Sequence, residues 1–364
     1  MKHIHRSAFA RLLEALTADG YRLIGPTVRD GAIVLDRIDG LDDLPAGVAE
    51  EQRPGGYELS RRDDDRLFAW AHGPDSAKRF LFPPREVLAR VRRTENGLVT
   101  EPAADEDEPP LAFVGLRSCD LHAVQVLDRV FLDLDPGYRR RREAAVFIGV
   151  NCSTPGSTCF CASMGTGPRC TIGFDLAVTE LDGGFVVEVA SPRGGEVLDR
   201  VDSRDATGEE VAFVERTARD AERRMGRHLE TADLPGLLYR NREHPRWDDV
   251  AARCLACTNC TSVCPTCFCH DVTDQVTLSG DGATRTREWA SCFGEEFSHI
   301  VGTEIRKGRA PRYRQWLTHK FAAWIDQFGT SGCVGCGRCI TWCPVGIDVT
   351  EEIDAIRKRE AVPA

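Results

Sequence analysis

The chain has 364 residues, a formal net charge of −10 and 42% hydrophobic residues. That apolar content suffices for a buried core spread over two or three domains, which excludes a disordered chain. The acidic balance sets aside a general nucleic-acid binder, which would be basic. No uninterrupted apolar run approaches the length of a membrane span, and sixteen cysteines suggest thiolates or metal ligands in a reducing, cytoplasmic compartment.

Met1 to Arg6 is polar and basic, and Ser7 opens a stretch with Phe9, Leu12, Leu13 and Leu16 at helical spacing. This pattern predicts an amphipathic helix and lacks the apolar centre of a signal peptide. The acidic, proline-rich run from Glu101 to Pro110 reads as a flexible surface loop. Leu111 to Leu116 and Ala145 to Val150 are near-continuous apolar runs expected as buried strands, with helical periodicity in Leu121 to Leu132 between them. Together they predict a parallel strand–helix–strand unit. Its first strand-to-helix turn carries Arg117, Ser118, Cys119 and Asp120, where open α/β sheets place functional groups.

Two basic groups, Arg139 to Arg142 and the set Arg306, Lys307, Arg309, Arg312 and Arg314, read as solvated faces, with docking of an acidic partner as the alternative. Phe174 to Leu181 and Gly184 to Ala190 form a hairpin pattern around Asp182-Gly183. Thr207 caps a long helix with Glu209 and Glu210 in its first turn and Val211, Val214, Ala218, Ala221 and Met225 along one face. Pro235, Gly236 and Pro245 mark a linker, and a further helical stretch covers Trp316 to Phe328. The expected fold is α+β. An α/β-like N-terminal domain (1–233) and a linker (234–250) lead to a helical, dicluster ferredoxin-type domain (251–364) with an insertion at 270–330.

The pattern C-x2-C-x2-C-x3-C-P occurs twice in that last region: Cys254, Cys257, Cys260, Cys264-Pro265, and Cys333, Cys336, Cys339, Cys343-Pro344. A [4Fe-4S] cubane needs four converging thiolates, and this run supplies three from one tight loop while its fourth cysteine serves the neighbouring cluster. Two clusters are therefore expected, one on Cys254, Cys257, Cys260 and Cys343, the other on Cys333, Cys336, Cys339 and Cys264. The proline fixes the chain as it leaves each loop, and Gly332, Gly335 and Gly337 are expected to let backbone approach the inorganic sulfides. Structural zinc needs neither the third cysteine nor the proline, and disulfides suit small secreted chains.

Eight cysteines lie outside these runs. Cys152, Cys159 and Cys161 follow a predicted strand in a loop rich in glycine, serine, threonine and proline, and Thr-Cys-Phe-Cys recurs at 158–161 and 266–269. These three predict a third iron–sulfur cluster, with Cys119 or Cys170 as candidates for the fourth ligand. Cys267, Cys269 and Cys292 form a separate site with His270, or complete the third cluster across the domains. The chain has no G-x-G-x-x-G after a strand, no P-loop and no H-E-x-x-H, so no flavin, nucleotide or hydrolytic site is predicted and no residue is assigned as catalytic.

The segments Gly115-Leu-Arg-Ser-Cys-Asp-Leu-His-Ala123, Asn151-Cys152 with Thr158 to Pro168, Cys264-Pro-Thr-Cys-Phe-Cys269 and Gly332 to Pro344 resemble the iron–sulfur beta subunit of cytoplasmic group 3b NiFe hydrogenases, the sulfhydrogenase type. The resemblance runs from about residue 110 to 350. The same architecture is similar to the iron–sulfur relay subunit of anaerobic sulfite reductase. The first resemblance implies a non-catalytic electron relay. It would lie between a gamma subunit carrying FAD and binding NAD(P) and the small and large NiFe hydrogenase subunits. A sulfite-reductase relay is the alternative, and a sensory or structural iron–sulfur protein a third reading.

Overall fold

The computed structural model describes residues 1–102 and 108–360. Its strands in chain order are β1 (Lys2–His5), β2 (Arg22–Arg29), β3 (Ala32–Arg37), β4 (Val48–Arg53), β5 (Gly56–Arg61), β6 (Arg85–Thr94), β7 (Gly97–Pro102), β8 (Leu111–Arg117), β9 (Val146–Val150), β10 (Leu176–Leu181), β11 (Gly184–Val189), β12 (Arg204–Asp205), β13 (His270–Val276), β14 (Gly282–Trp289), β15 (His299–Ile300) and β16 (Thr303–Glu304). The fold is α+β. Eight strands form one sheet in the order β12-β1-β11-β10-β9-β8-β2-β3.

The sheet's centre is parallel, with β10 beside β9, β9 beside β8 and β8 beside β2. Every residue of β8 and β9 is buried, which is why both read as unbroken apolar runs rather than alternating ones. The helix Arg6–Ala18 contributes Phe9, Leu12, Leu13 and Leu16 to one core, where Phe9 packs on Phe185 and Phe68. The helix Ser118–Phe131 contributes Leu121, Val124, Leu127 and Phe131 to a second core. This helix lies between β8 and β9 in the chain, so its first turn sits at the carboxyl ends of parallel strands. The capping box at Thr207 and Glu210 opens the helix Gly208–Arg223.

Three expectations need correction, the linker and the two solvated basic faces. The segment 234–250, read as a linker, forms the helix Leu234–Arg240 and most of the helix Arg246–Arg253, with Leu234, Leu237, Leu238, Trp247 and Val250 buried. Pro235 lies in the first turn of its helix, a position that needs no backbone donor, so it starts the helix instead of breaking a pattern. The insertion 270–330 carries a β-hairpin besides the helical stretch expected at Trp316 to Phe328. Its hairpin β13–β14 pairs through β14 with β6, giving a second sheet in the order β13-β14-β6-β7.

Neither basic group is wholly solvated. Arg141 and Arg287 both pair with the buried carboxylate of Glu86, and Arg142 pairs with Asp128. Arg312 is buried, donating to the carbonyls of Arg306 and Phe293 and pairing with Glu304. Of the acidic run Glu101 to Pro110, residues 103–107 lie outside the described residues.

Candidate metal centres

Each cysteine run forms a tight loop that ends in a single helical turn, Asn259–Ser262 in the first and Arg338–Thr341 in the second. Cys254, Cys257, Cys260 and Cys343 line one pocket, walled by Phe293, Tyr313, Trp316, Ile347 and Val349, with Cys339 at its border. Cys264, Cys333, Cys336 and Cys339 line a second with Phe160, Lys320, Phe321 and Val334, and Trp316 borders both. The fourth cysteine of each run thus stands with the first three of the other. Backbone N–H groups point at the sulfurs: Ala256 to Cys254 Sγ at 3.4 Å, Gly335 to Cys333 Sγ at 3.4 Å and Ile347 to Cys343 Sγ at 3.3 Å. Such donors favour thiolate over thiol.

Among the described residues, no three His, Cys, Asp or Glu side chains gather closely enough for a single metal ion. A cubane's four thiolates stand around an inorganic core rather than one atom, and each pocket brings together the four cysteines such a core takes. Burial raises the thiols of Cys254, Cys260, Cys336 and Cys339, and pushes Cys333 up to about 12. Burial thus opposes ionisation of these sulfurs, and the backbone donors work against that effect at Cys254 and Cys333. Cys264 is different: the hydrogen bond from Cys267, then the ammonium groups of Lys320 and Lys78, hold it well below the usual thiol range. Burial opposes the charge on Lys320, but the facing sulfurs of Cys264, Cys267 and Cys333 outweigh it and hold that ammonium well above its ordinary pKa.

The glycines of the second loop are also held to glycine by the protein around them. Gly335 (φ 64°) and Gly337 (φ 79°) need left-handed backbone. A Cβ at Gly335 would stand 2.7 Å from the Phe160 backbone, one at Gly337 2.3 Å from the Thr158 carbonyl oxygen, and one at Gly332 2.5 Å from the Trp324 ring. These contacts with protein already demand glycine.

Cys152, Cys159 and Cys161 are buried at the carboxyl ends of the central strands. Cys119 packs with Cys161, Cys336, Trp324 and Val334. Gly167 bridges the gap: a Cβ there would stand 3.0 Å from Cys161 Sγ and 3.5 Å from Ser118 Cβ. Cys170 instead belongs to the core beneath the helix Ser118–Phe131, its sulfur 3.1 Å from the position a Gly149 Cβ would take. Of the two candidate partners, Cys119 is therefore the one grouped with Cys161.

Arg117 and Asp120 of the predicted strand-to-helix turn stand around this pocket, with residues of distant segments that the sequence did not single out. His72, fully buried, has Nε2 3.6 Å from Cys159 Sγ and hydrogen-bonds the Cys336 carbonyl. Arg117 donates to the carbonyls of Phe68, Trp70 and Ala71, and Arg338 pairs with Asp120 at 2.8 Å. Gln52 in β4 accepts from Thr158 and Thr341, and Tyr57 in β5 stacks on Trp342. The hairpin β4–β5 thereby clamps the second loop. Lys320, which the sequence reading passed over, is a cation set among Trp316, Leu317, Phe321, Ala322 and Trp324, a pattern that could have flagged it.

Cys267 and Cys269 line an open cleft of about 450 Å³ with Lys78, Asp271, Trp289 and Glu295. Cys269 and Cys292 line a neighbouring cleft of about 350 Å³ that includes His270. The His270 ring bonds the Phe268 carbonyl through Nδ1 and lies edge-on to Phe82. A hydrogen bond from Cys292 lowers the Cys269 thiol to about 7.

Residues 253–347 match the 4Fe-4S dicluster domain family. Over 292 residues, 77% of this chain and 82% of the relative, the sequence is 34% identical to sulfhydrogenase 2 subunit beta of Pyrococcus furiosus. The chain belongs to the sulfhydrogenase beta-subunit family. As a member of that family it is an iron–sulfur protein, with its 4Fe-4S dicluster domain in the C-terminal third. No solved structure matches it, and no helix among the described residues is long and apolar enough to cross a membrane.

Proposed function

We propose that this beta subunit is the electron relay of an NAD(P)-linked NiFe hydrogenase of the sulfhydrogenase type in the cytoplasm. It stands between the gamma subunit, which binds flavin and NAD(P), and the small and large hydrogenase subunits, and is itself non-catalytic. The observation that carries the reading is the pair of cysteine-lined pockets, in which each run's fourth cysteine stands with the first three of the other and which Cys339 and Trp316 both border. In this reading Cys254, Cys257, Cys260 and Cys343 hold one [4Fe-4S] cluster and Cys264, Cys333, Cys336 and Cys339 the other. A third is assigned to Cys119, Cys152, Cys159 and Cys161.

When bound, the clusters supply one-electron storage and transfer at potentials set by burial, local charge and hydrogen bonds to sulfur. The chain supplies the rest. Phe293, Tyr313 and Trp316 supply an apolar wall to the first pocket, the N–H groups of Ala256, Gly335 and Ile347 stabilise thiolate, and Pro265 and Pro344 fix the chain after each fourth ligand.

A relay for an anaerobic sulfite reductase would use the same pockets. The 34% identity to a sulfhydrogenase beta subunit favours the hydrogenase. Anaerobic isolation of the native complex with metal analysis tests the assignment. About twelve irons per chain, with nickel in the complex, is the expected result. About eight would remove the third cluster, a sirohaem partner without nickel would assign the sulfite-reductase complex, and zinc in place of iron would end the reading.

A further inference from the structure

The two four-thiol pockets share ligand spacing and N–H donors but differ in charge. The pocket completed by Cys343 is walled by apolar and aromatic side chains. Arg309 hydrogen-bonds the Cys254 carbonyl at 2.6 Å, and it and Arg253 act on Cys254 and Cys343 only from exposed positions, with no hydrogen bond to a sulfur. The pocket completed by Cys264 contains the Lys320 ammonium, 95% buried, with Nζ 3.1 Å from Cys264 Sγ. The same nitrogen donates to Thr266 Oγ1 at 3.1 Å and to the Gly332 carbonyl at 3.4 Å.

The backbone holds Lys320 there as well. Gly332 N–H and Ser331 Oγ both donate to its carbonyl, at 2.8 and 3.2 Å. Lys320 lies in the π-helical turn His319–Ala323, between the helices Arg309–Thr318 and Trp324–Phe328. Such turns insert one residue into a helix and recur at functional sites.

We propose that Lys320 is a positioning residue that sets the two clusters apart in potential. It makes the cluster bound at Cys264 the more readily reduced of the pair. The inference rests on both pockets holding [4Fe-4S] clusters. Reduction adds a negative charge to a site already rich in thiolate, and a buried cation bonded to a ligand sulfur stabilises the reduced form more than the oxidised one. In a low-dielectric pocket that bias is not screened away as it would be at the surface. The Cys343 pocket has no such cation against its sulfurs, so the chain carries a built-in difference between two otherwise similar sites.

An EPR-monitored redox titration of the anaerobic complex tests this. Native protein is expected to show distinct midpoint potentials. Selective labelling of lysine side-chain nitrogen with ¹⁵N is expected to give a hyperfine coupling to one reduced cluster alone, which marks the cluster at Cys264. Lys320→Met should lower the midpoint of that cluster, leave the others in place and retain full iron, while Lys320→Arg restores the native value. Full iron with unmoved midpoints in Lys320→Met, or equal shifts in every cluster, would overturn the proposal.

If Lys320→Met loses iron, Lys320→Gln and the labelling of native protein decide. Absence of lysine-nitrogen coupling to any cluster would overturn the proposal, and its presence in one cluster, with a lowered midpoint in Lys320→Gln, would support it. A native protein without iron would instead defeat the relay reading and take this inference with it.

Discussion

The loops Cys254–Cys260 and Cys333–Cys339 have the same cysteine spacing and the same left-handed positions, yet they are filled differently. Ala256 (φ 52°) and Thr258 (φ 66°) in the first correspond to Gly335 (φ 64°) and Gly337 (φ 79°) in the second. The cost of a side chain at positive φ, about 1–2 kcal/mol, is therefore tolerable in this loop geometry. What the second loop cannot tolerate is the Cβ itself, because Thr158 to Cys161 of the N-terminal region lies against it. The first loop faces outward, with Cys257 and Leu255 exposed. Ligand spacing thus fixes the loop's shape, while its position in the molecule selects the residues between the ligands.

Cys339→Ala should have the largest effect on this comparison, removing about four irons per chain and stopping hydrogen-dependent NADP reduction by the reconstituted complex. Retained activity would show that the path does not use the Cys264 pocket. Gly337→Ala should be severe, costing roughly 3 kcal/mol through backbone strain and the contact with Thr158, with iron lost from the second loop's pocket. Denaturant unfolding and iron analysis read both effects.

Glu50 in β4 tests the clamp on the second loop. Burial raises its carboxyl to about 7, although it accepts a hydrogen bond from Ala71 N–H at 2.6 Å. The folded state therefore holds this proton more tightly than the unfolded chain. Its contribution is fully present below the unfolded carboxyl value and is lost as pH rises through about 7. The loss amounts to about 3 kcal/mol in order of magnitude. Glu50→Gln should flatten unfolding free energy between pH 5 and 8, measured by denaturant titration, and an unchanged slope would refute the assignment. Thr258→Gly in the first loop should be the mildest change, within about 1 kcal/mol of native and with iron content intact. A large loss there would show that the two loops are equally constrained.

Much of the architecture was legible locally. The buried strands β8 and β9, the helix between them, the hairpin at Asp182-Gly183 and the cap at Thr207 all follow from periodicity and turn chemistry within short windows. Other features were not legible. Proline and glycine at 235–236 pointed to a linker because a helix start and a loop use the same residues. The hairpin β13–β14 finds its partner β6 almost 200 residues earlier, and no local pattern encodes that pairing.

By itself the sequence determined the number and spacing of sulfur donors, since three ligands on one tight loop are a matter of adjacent backbone. Only tertiary structure decided what surrounds those sulfurs. Lys320, His72, Gln52 and Thr158 meet the cluster loops across separations of 56 to 289 residues. Charge and shape at a buried site arise from whichever distant segments pack against it, and burial makes each such contact count.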